Sequence, residues 1–213
     1  MSDTLTFYTN PMSRGQIVRW MLEEVGQPYE TQILHYAASM KSPEYLAINP
    51  MGKVPAIKHG DVVVTECAAI CAYLADAFPA AGLAPPPTDK ARAPYYRWLF
   101  FAAGCVEPAS SNKAAGFVPS DQQQRMFGYG TYDQTLDALE GAVDGVEYLA
   151  GGRFSAADLY VGCQLDFLMG FGVIEKRPAF EAYVAKLRER PAYKRAKEID
   201  GKLIAEMQQA APA

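Results

Sequence analysis

The spacing of apolar positions changes several times along the first eighty residues, and each change marks an element. Residues 5–8 are short, apolar and aromatic, which predicts a strand, and Asn10-Pro11 breaks it. From Ser13 onward Ile17, Val18, Met21, Leu22 and Val25 recur at helical spacing, and Gly26 and Pro28 close that helix. Residues 29–34 predict a second strand. Residues 41–52 have little periodicity and predict a loop holding one turn. Residues 54–58 and 62–65 are strand-like, and His59-Gly60-Asp61 between them predicts a tight hairpin, with His59 exposed in it and the strands antiparallel. Ala69, Ile70, Tyr73, Leu74 and Ala77 then line one helical face that ends at Phe78-Pro79.

The order is β-α-β, a crossover, then β-β-α. Two strands joined through a helix pair in parallel with a right-handed crossover, so an α/β thioredoxin-like domain is expected over residues 1–80. Residues 80–89 contain Gly82 and Pro85-Pro86-Pro87, and residues 81–89 are taken as a stiff linker. Beyond them only helical patterns occur: residues 90–113, 120–148, 155–171 and 177–189, with Pro191 starting a last helix. Phe180, Tyr183, Val184 and Leu187 have the i, i+3, i+4, i+7 spacing of a buried face. Residues 90–213 are therefore expected to form an all-α helical bundle. One helix start is explicit. Ser155 and Asp158 are spaced as a capping box, with Phe154 and Leu159 placed as the hydrophobic staple.

Composition narrows the function classes. Half of the 213 residues are hydrophobic, 21% are charged and the net charge is −4. That balance argues against nucleic acid as a partner, because a nucleic-acid binder carries a basic face. No apolar run approaches the roughly 18 residues of a membrane span. Cys67, Cys71, Cys105 and Cys163 form neither a CxxC pair nor a zinc framework, so no metal is expected. The chain opens Met-Ser-Asp-Thr without a basic-then-apolar leader. A reduced, cytoplasmic protein is expected.

Three segments carry candidate chemistry. In Tyr8-Thr9-Asn10-Pro11-Met12-Ser13-Arg14, Ser13 stands where a helix begins. The helix end offers N–H groups and a positive dipole that favour a thiolate. Ser13 is placed either to donate a hydroxyl hydrogen to such an anion or to cap the helix. In Asn49-Pro50-Met51-Gly52-Lys53-Val54-Pro55-Ala56, a proline opening a strand suits a cis peptide. The backbone of Val54 would then face outward for strand-like pairing with an extended peptide; the other reading is a loop with a trans proline. In Thr65-Glu66-Cys67-Ala68-Ala69-Ile70, N–H groups at a second helix start suit a carboxylate and Glu66 suits an ammonium group. Alone, Glu66 is equally an acid complementing the dipole. No GxSxG elbow, P-loop, GxGxxG or HExxH occurs.

These segments together resemble the cytosolic glutathione transferase superfamily, with motifs similar to its bacterial beta and theta-like members. "NPMGKVPAI" resembles the family's signature around its cis-proline, "TECAAICAYL" its Glu-Ser-x-Ala-Ile motif, and "FSAADL" the capping box of its helical domain. The resemblance spans essentially the whole chain. It implies that Val54 pairs through its backbone with the cysteinyl unit of glutathione beside cis Pro55. It implies that Glu66 and Cys67 hold the γ-glutamyl end, and that Lys41 and Lys53 are candidates for the glycine carboxylate. Ser13 takes the place of the thiol-activating serine and Tyr8 lies near that of the activating tyrosine. Met12 falls where the beta class has a cysteine, which removes a mixed-disulfide nucleophile. Cys67 stands where serine is usual. Met12 and Phe117 are the guesses for the second-substrate pocket.

The expected activity is conjugation of glutathione, as co-substrate, to a small hydrophobic electrophile in a detoxifying homodimer. Two alternatives stay open. One is a glutathione-dependent peroxidase, dehalogenase or ether-cleaving enzyme of the same fold. The other is a non-catalytic transferase-like interaction module.

Overall fold

A computed structural model describes residues 4–210. In chain order it begins with β1 (Leu5–Thr9), α1 (Gly15–Val25), β2 (Glu30–Ile33), a 3-10 turn (Ser39–Lys41) and α2 (Pro43–Leu46). Then come β3 (Ala56–His59), β4 (Val62–Thr65) and α3 (Cys67–Ala77). The sheet order is β2-β1-β3-β4. β1 and β2 are parallel, with Phe7 opposite Thr31, while β3 runs antiparallel to both β1 and β4. This is the expected thioredoxin-like arrangement. Strand alternation sends Leu5, Phe7 and Thr9 to a buried face and Thr6 and Tyr8 to the other. Tyr8 there packs against Met40, Tyr45 and Ala56.

The helical region holds α4 (Arg92–Phe101), a π turn (Ala102–Val106), α5 (Glu107–Ala114), α6 (Asp121–Met126), α7 (Tyr132–Val143), α8 (Ala156–Gly170), α9 (Pro178–Arg188) and α10 (Pro191–Ala210). Among the described residues no helix is long and apolar enough to cross a membrane.

Local chemistry explains where the elements depart from the pattern. The turn expected within residues 41–52 is the four-residue α2, where the Ser42 side chain accepts from the Tyr45 N–H (3.3 Å) and Pro43 suits the first helical position. The helix expected over 90–113 widens into a π turn before Pro108, which lacks the N–H that would bond to the carbonyl four residues back. The helix expected over 120–148 breaks between α6 and α7. Gly130 there has φ +64°, and Thr131 caps α7 by accepting from Gln134 N–H (3.1 Å). His59 is half-buried rather than exposed. Its Nδ1 lies 2.9 Å from the Tyr73 hydroxyl, and its ring lies 5.3 Å from that of Phe78.

Two compact units result. One holds the sheet, α1–α3 and α10; the other holds α4–α9. The C-terminal helix thus packs with the sheet unit, whereas the linear pattern groups it with the helices before it. The reason lies in its side chains. α10 runs antiparallel to α1, with Lys197 on Gln16 (2.9 Å), Tyr193 on Trp20 (ring centroids 5.0 Å) and Arg195 on Glu23 (3.1 Å). Arg190, just before α10, pairs bidentately with Glu24 (2.6 and 2.8 Å). Between the helices Arg19 bonds Asp200 (3.1 Å), with both side chains almost wholly buried. The Arg19 guanidinium lies 5.0 and 5.4 Å from the Phe7 and Tyr29 ring centroids and donates to Tyr29 and Thr31. Burial and a bond to Glu23 push the Tyr29 phenol up to about 12, so it stays protonated.

In the second unit Asp158 has a similar place. It is fully buried at the start of α8 and accepts from Ser155 N–H (2.8 Å), Ser155 Oγ (2.8 Å), Leu149 N–H (2.7 Å) and the Tyr183 hydroxyl (2.6 Å). It therefore ties α8 to α9 and to the preceding loop, beyond its part in the capping box. The segment before α4 is anchored in this unit too. The Leu83 carbonyl accepts from Ala156 N–H (2.7 Å) and the Pro85 carbonyl from Arg92 Nε (2.5 Å).

Urea denaturation checks both buried acids. Asp200→Asn leaves Arg19 buried without a counter-charge and is expected to cost about 3 kcal/mol, much of it recovered in an Arg19→Met/Asp200→Leu double variant. Asp158→Ala strands several buried donors and is expected to cost more than about 3 kcal/mol, against about 1 kcal/mol for Ser155→Ala.

Candidate functional site

The loop between β1 and α1 is built around Asn10, which is buried. Its side chain donates to Leu34 O (2.8 Å) and accepts from Met12 N–H (3.0 Å), and its carbonyl accepts from Ser13 N–H (3.0 Å). Ser13 closes the same turn. Its hydroxyl donates to Asn10 O (2.6 Å) and accepts from Gly15 N–H (2.9 Å). A carbonyl cannot donate, so the hydroxyl hydrogen points into the loop and the Ser13 side chain serves the helix start. Serving an anion as well requires that hydrogen to swing away from Asn10. Gln16 completes the loop by donating from Nε2 to Pro11 O (2.7 Å).

Gly15 follows at close quarters. A Cβ placed on it would lie 1.9 Å from Thr9 Oγ1, a buried hydroxyl without a hydrogen-bond partner among the described residues. Only glycine lets the end of β1 and the start of α1 approach this closely.

Tyr8 lies one residue before Thr9, on the opposite sheet face. Its ring packs 5.7 Å from that of Tyr45, so its apolar body serves the cluster under α2.

The segment before β3 is held from several sides. The Val54–Pro55 peptide is cis. The Lys53 carbonyl accepts from the Tyr45 hydroxyl (2.6 Å) and from Asn49 Nδ2 (2.8 Å). Burial pushes the Tyr45 phenol up to about 12, which keeps its donor hydrogen in place. Lys41 Nζ donates to Met51 O (3.2 Å) and Gly52 O (3.0 Å), so it braces this loop. Gly52, at φ +55°, sits where a Cβ would come 2.8 Å from the Met40 carbonyl. Lys53 is exposed. Against these saturated neighbours, the N–H and C=O of half-buried Val54 enter no hydrogen bond among the described residues. Backbone groups that are neither paired nor fully exposed are uncommon in a folded chain and take water or an external group as their partner.

Glu66 is the N-cap residue of α3, at φ +68° and ψ 120°. A side-chain-bearing residue at positive φ outside the left-handed well costs about 1–3 kcal/mol. Its carbonyl accepts from Ile70 N–H (2.9 Å), which fixes the helix start, and its carboxylate is exposed. The half-buried Cys67 thiol lies 3.7 Å from Arg14 O, at the N-terminal end of α1.

Strand register gathers these groups. Tyr8 pairs with Ala56, and Ala56 with Thr65. Ser13, Val54-Pro55 and Glu66-Cys67 thus follow or precede strands at one end of the sheet. Two helix N-termini stand at that end, with Val54 on the chain entering the strand between. The arrangement suits an extended, zwitterionic peptide carrying a nucleophilic or anionic group.

The second-substrate guesses fall in different units. Met12 is half exposed on the β1–α1 loop. Phe117 follows α5, where it lines a cavity of about 200 Å³ with Val118, Pro119, Tyr129 and Tyr132. A cavity of about 450 Å³ opens at the other end of the sheet, beside Leu5, Tyr29, His59 and Phe78, and is lined by no predicted site residue. Among the described residues no group of three or more His, Cys, Asp or Glu is arranged to hold a metal ion.

Sequence reasoning missed Asn10, Gln16, Tyr45 and Asn49. Asn10 and Asn49 stand before prolines and look like simple breakers. Their repeated Asn-Pro-Met context, at residues 10–12 and 49–51, was the signal. In both, the Asn side chain accepts from the N–H two residues on, at 3.0 and 3.1 Å.

Residues 3–76 match the family model described as glutathione S-transferase, N-terminal domain, and residues 109–191 match glutathione S-transferase, C-terminal domain. The protein named glutathione S-transferase GST-4.5 from Xanthomonas campestris pv. campestris is 29% identical over 178 residues, covering 79% of this chain and 85% of that one. A glutathione S-transferase structure from Xylella fastidiosa has a TM-score of 0.76 and 30% identity, covering 92% of this chain and 98% of that one. A sphingomonad glutathione S-transferase solved in complex with glutathione has a TM-score of 0.74 and 29% identity, with coverage of 92% and 98%.

The close approach at Gly15 is testable by a mutant cycle. Gly15→Ala is expected to cost about 1–3 kcal/mol by overpacking, while Thr9→Ala in the same chain recovers most of it. Thermal melts of both single variants and the double check this, and additive losses would refute it.

Proposed function

The chain belongs to the glutathione S-transferase family, and on that premise we propose that it binds glutathione at the sheet end described above and conjugates its thiolate to a small hydrophobic electrophile. The observation that carries the reading is the unengaged backbone pair of Val54 beside cis Pro55. Its N–H and C=O pair with the cysteinyl unit of glutathione as an added strand would. Glu66 takes the γ-glutamyl ammonium, and the N–H groups at the start of α3, with Cys67, take its carboxylate. Lys53 takes the glycine carboxylate. Lys41, with two hydrogens already given to loop carbonyls, acts mainly by shaping that loop.

The thiol then lies at the N-terminal end of α1. The helix dipole favours its anionic form, and a Ser13 hydroxyl turned from Asn10 toward the sulfur adds a charge-assisted hydrogen bond. The protein forms no covalent intermediate. It lowers the thiol pKa and holds the thiolate against the electrophile. Met12 and Phe117 are the candidates to border that electrophile, and a cytoplasmic homodimer is the expected working form.

One observation favours a second reading of the activation step. Because the Ser13 hydroxyl is already committed to Asn10, the helix end alone, with Tyr8 as a further candidate, would stabilise the thiolate.

Calorimetric titration with glutathione tests the binding site. Heat saturating at millimolar ligand or below is expected, and a folded protein giving none would point to an interaction module. Turnover of a chlorinated nitroaromatic then tests Ser13. Ser13→Ala is expected to lower kcat about 10- to 100-fold, the worth of one hydrogen bond to a charged group. Undiminished turnover, with stability measured in parallel because Ser13 also closes the turn, would transfer activation to the helix end or Tyr8.

A further inference from the structure

The C-terminal helix reaches the loop that carries Ser13. Lys197 Nζ donates to Gln16 Oε1 (2.9 Å), and Gln16 Nε2 donates to Pro11 O (2.7 Å). The two bonds use opposite ends of one side-chain amide, so the ammonium polarises the amide that holds the Pro11 carbonyl. The next group along the chain, Met12 N–H, is held by Asn10 Oδ1 (3.0 Å). A peptide unit is planar, so the Pro11–Met12 plane is pinned at its oxygen by Gln16 and at its nitrogen by Asn10. Ser13 is the next residue.

Lys197 is in turn fixed by its helix. Its ammonium lies 5.5 Å from the Tyr193 ring centroid, and Asp200, three residues on, is locked to Arg19 in the interior (3.1 Å). On α1, Gln16 and Arg19 are likewise three residues apart, so one face of each helix carries both contacts. The buried pair sets the register and the exposed pair uses it.

We propose that Gln16 and Lys197 are positioning residues of the glutathione site: α10, through Gln16, fixes the peptide plane that aims Ser13 and places a positive charge at the N-terminal end of α1, where the thiolate forms. This rests on the glutathione reading above. It gives the last helix a part in thiol activation.

The test compares Gln16→Leu, which loses both bonds, Gln16→Glu, which keeps Lys197 but cannot donate to Pro11, Lys197→Met, and Lys197→Arg as the conservative rescue. The readouts are the pKa of the bound glutathione thiol, followed by thiolate ultraviolet absorbance against pH, kcat and KM for glutathione with a chlorinated nitroaromatic, and the melting temperature. Both Gln16 variants are expected to raise the bound thiol pKa by about one unit and lower kcat about tenfold. KM is expected to change less than about twofold. Lys197→Met gives a smaller shift of the same sign, and Lys197→Arg restores it. Variants with the thiol pKa and kcat of the parent overturn the proposal, as do losses in kcat that only follow losses in melting temperature. A parent protein without any bound-thiolate signal overturns the glutathione reading itself, and with it this one.

Discussion

The buried bond between Arg19 and Asp200 sets the geometry on which the first unit depends. Arg19 lies in the middle of α1, nearly inaccessible to solvent, between the rings of Phe7 and Tyr29. A guanidinium in such a place is costly without its counter-charge; Nε and Nη1 find acceptors in Asp200, Tyr29 and Thr31, while Nη2 has no hydrogen-bond partner among the described residues. Asp200 provides the charge and can do so only if α10 lies along α1. The pair adds little net stability over a hydrophobic substitute. It does fix which residues of α10 meet which residues of α1, and from that register follow the contacts of Tyr193, Arg195 and Lys197.

The candidate site at the sheet end divides into saturated and unsaturated parts, which in the proposed reading are those of activation and of binding. At Ser13 the hydroxyl and the side chains of Asn10 and Gln16 all have partners. A thiolate arriving there must compete with Asn10 for the hydroxyl hydrogen. At Val54 the opposite holds: the neighbours on its N-terminal side are braced by Tyr45, Asn49 and Lys41, and Val54's own backbone groups, unengaged among the described residues, are those the proposed glutathione site uses. A rigid frame around an unfilled pair of hydrogen-bonding groups is how a binding strand edge is preorganised at low entropic cost. The positive φ of Glu66, a backbone conformation that persists only where its surroundings hold it, lies at this same end of the sheet.

The second unit follows the same economy of one buried acid. Asp158 gathers donors from two helices and a loop, and burial raises its pKa above the ordinary carboxylate range. Near α5 an aromatic cavity beside Phe117, Tyr129 and Tyr132 remains open.

The sequence by itself determined the order of strands and helices in the sheet unit, the hairpin between β3 and β4, the helix faces, and the short motifs around Val54-Pro55 and Glu66. These are local matters. Period, turn residues and Asn-Pro breaks act over a few positions, and Val54-Pro55 and Glu66 lie inside short motifs whose chemistry is legible in one dimension. Only the tertiary structure decided that Ser13 gives its hydrogen to Asn10, that Lys41 braces a loop, and that the last helix belongs beside the first. Each depends on groups brought together by folding, such as Arg19 and Asp200, which lie 181 positions apart. Periodicity marks α10 as a helix with a face to bury but carries no information about which distant face it meets. That partner is chosen by charges that are unremarkable in the chain and become decisive once both are removed from water.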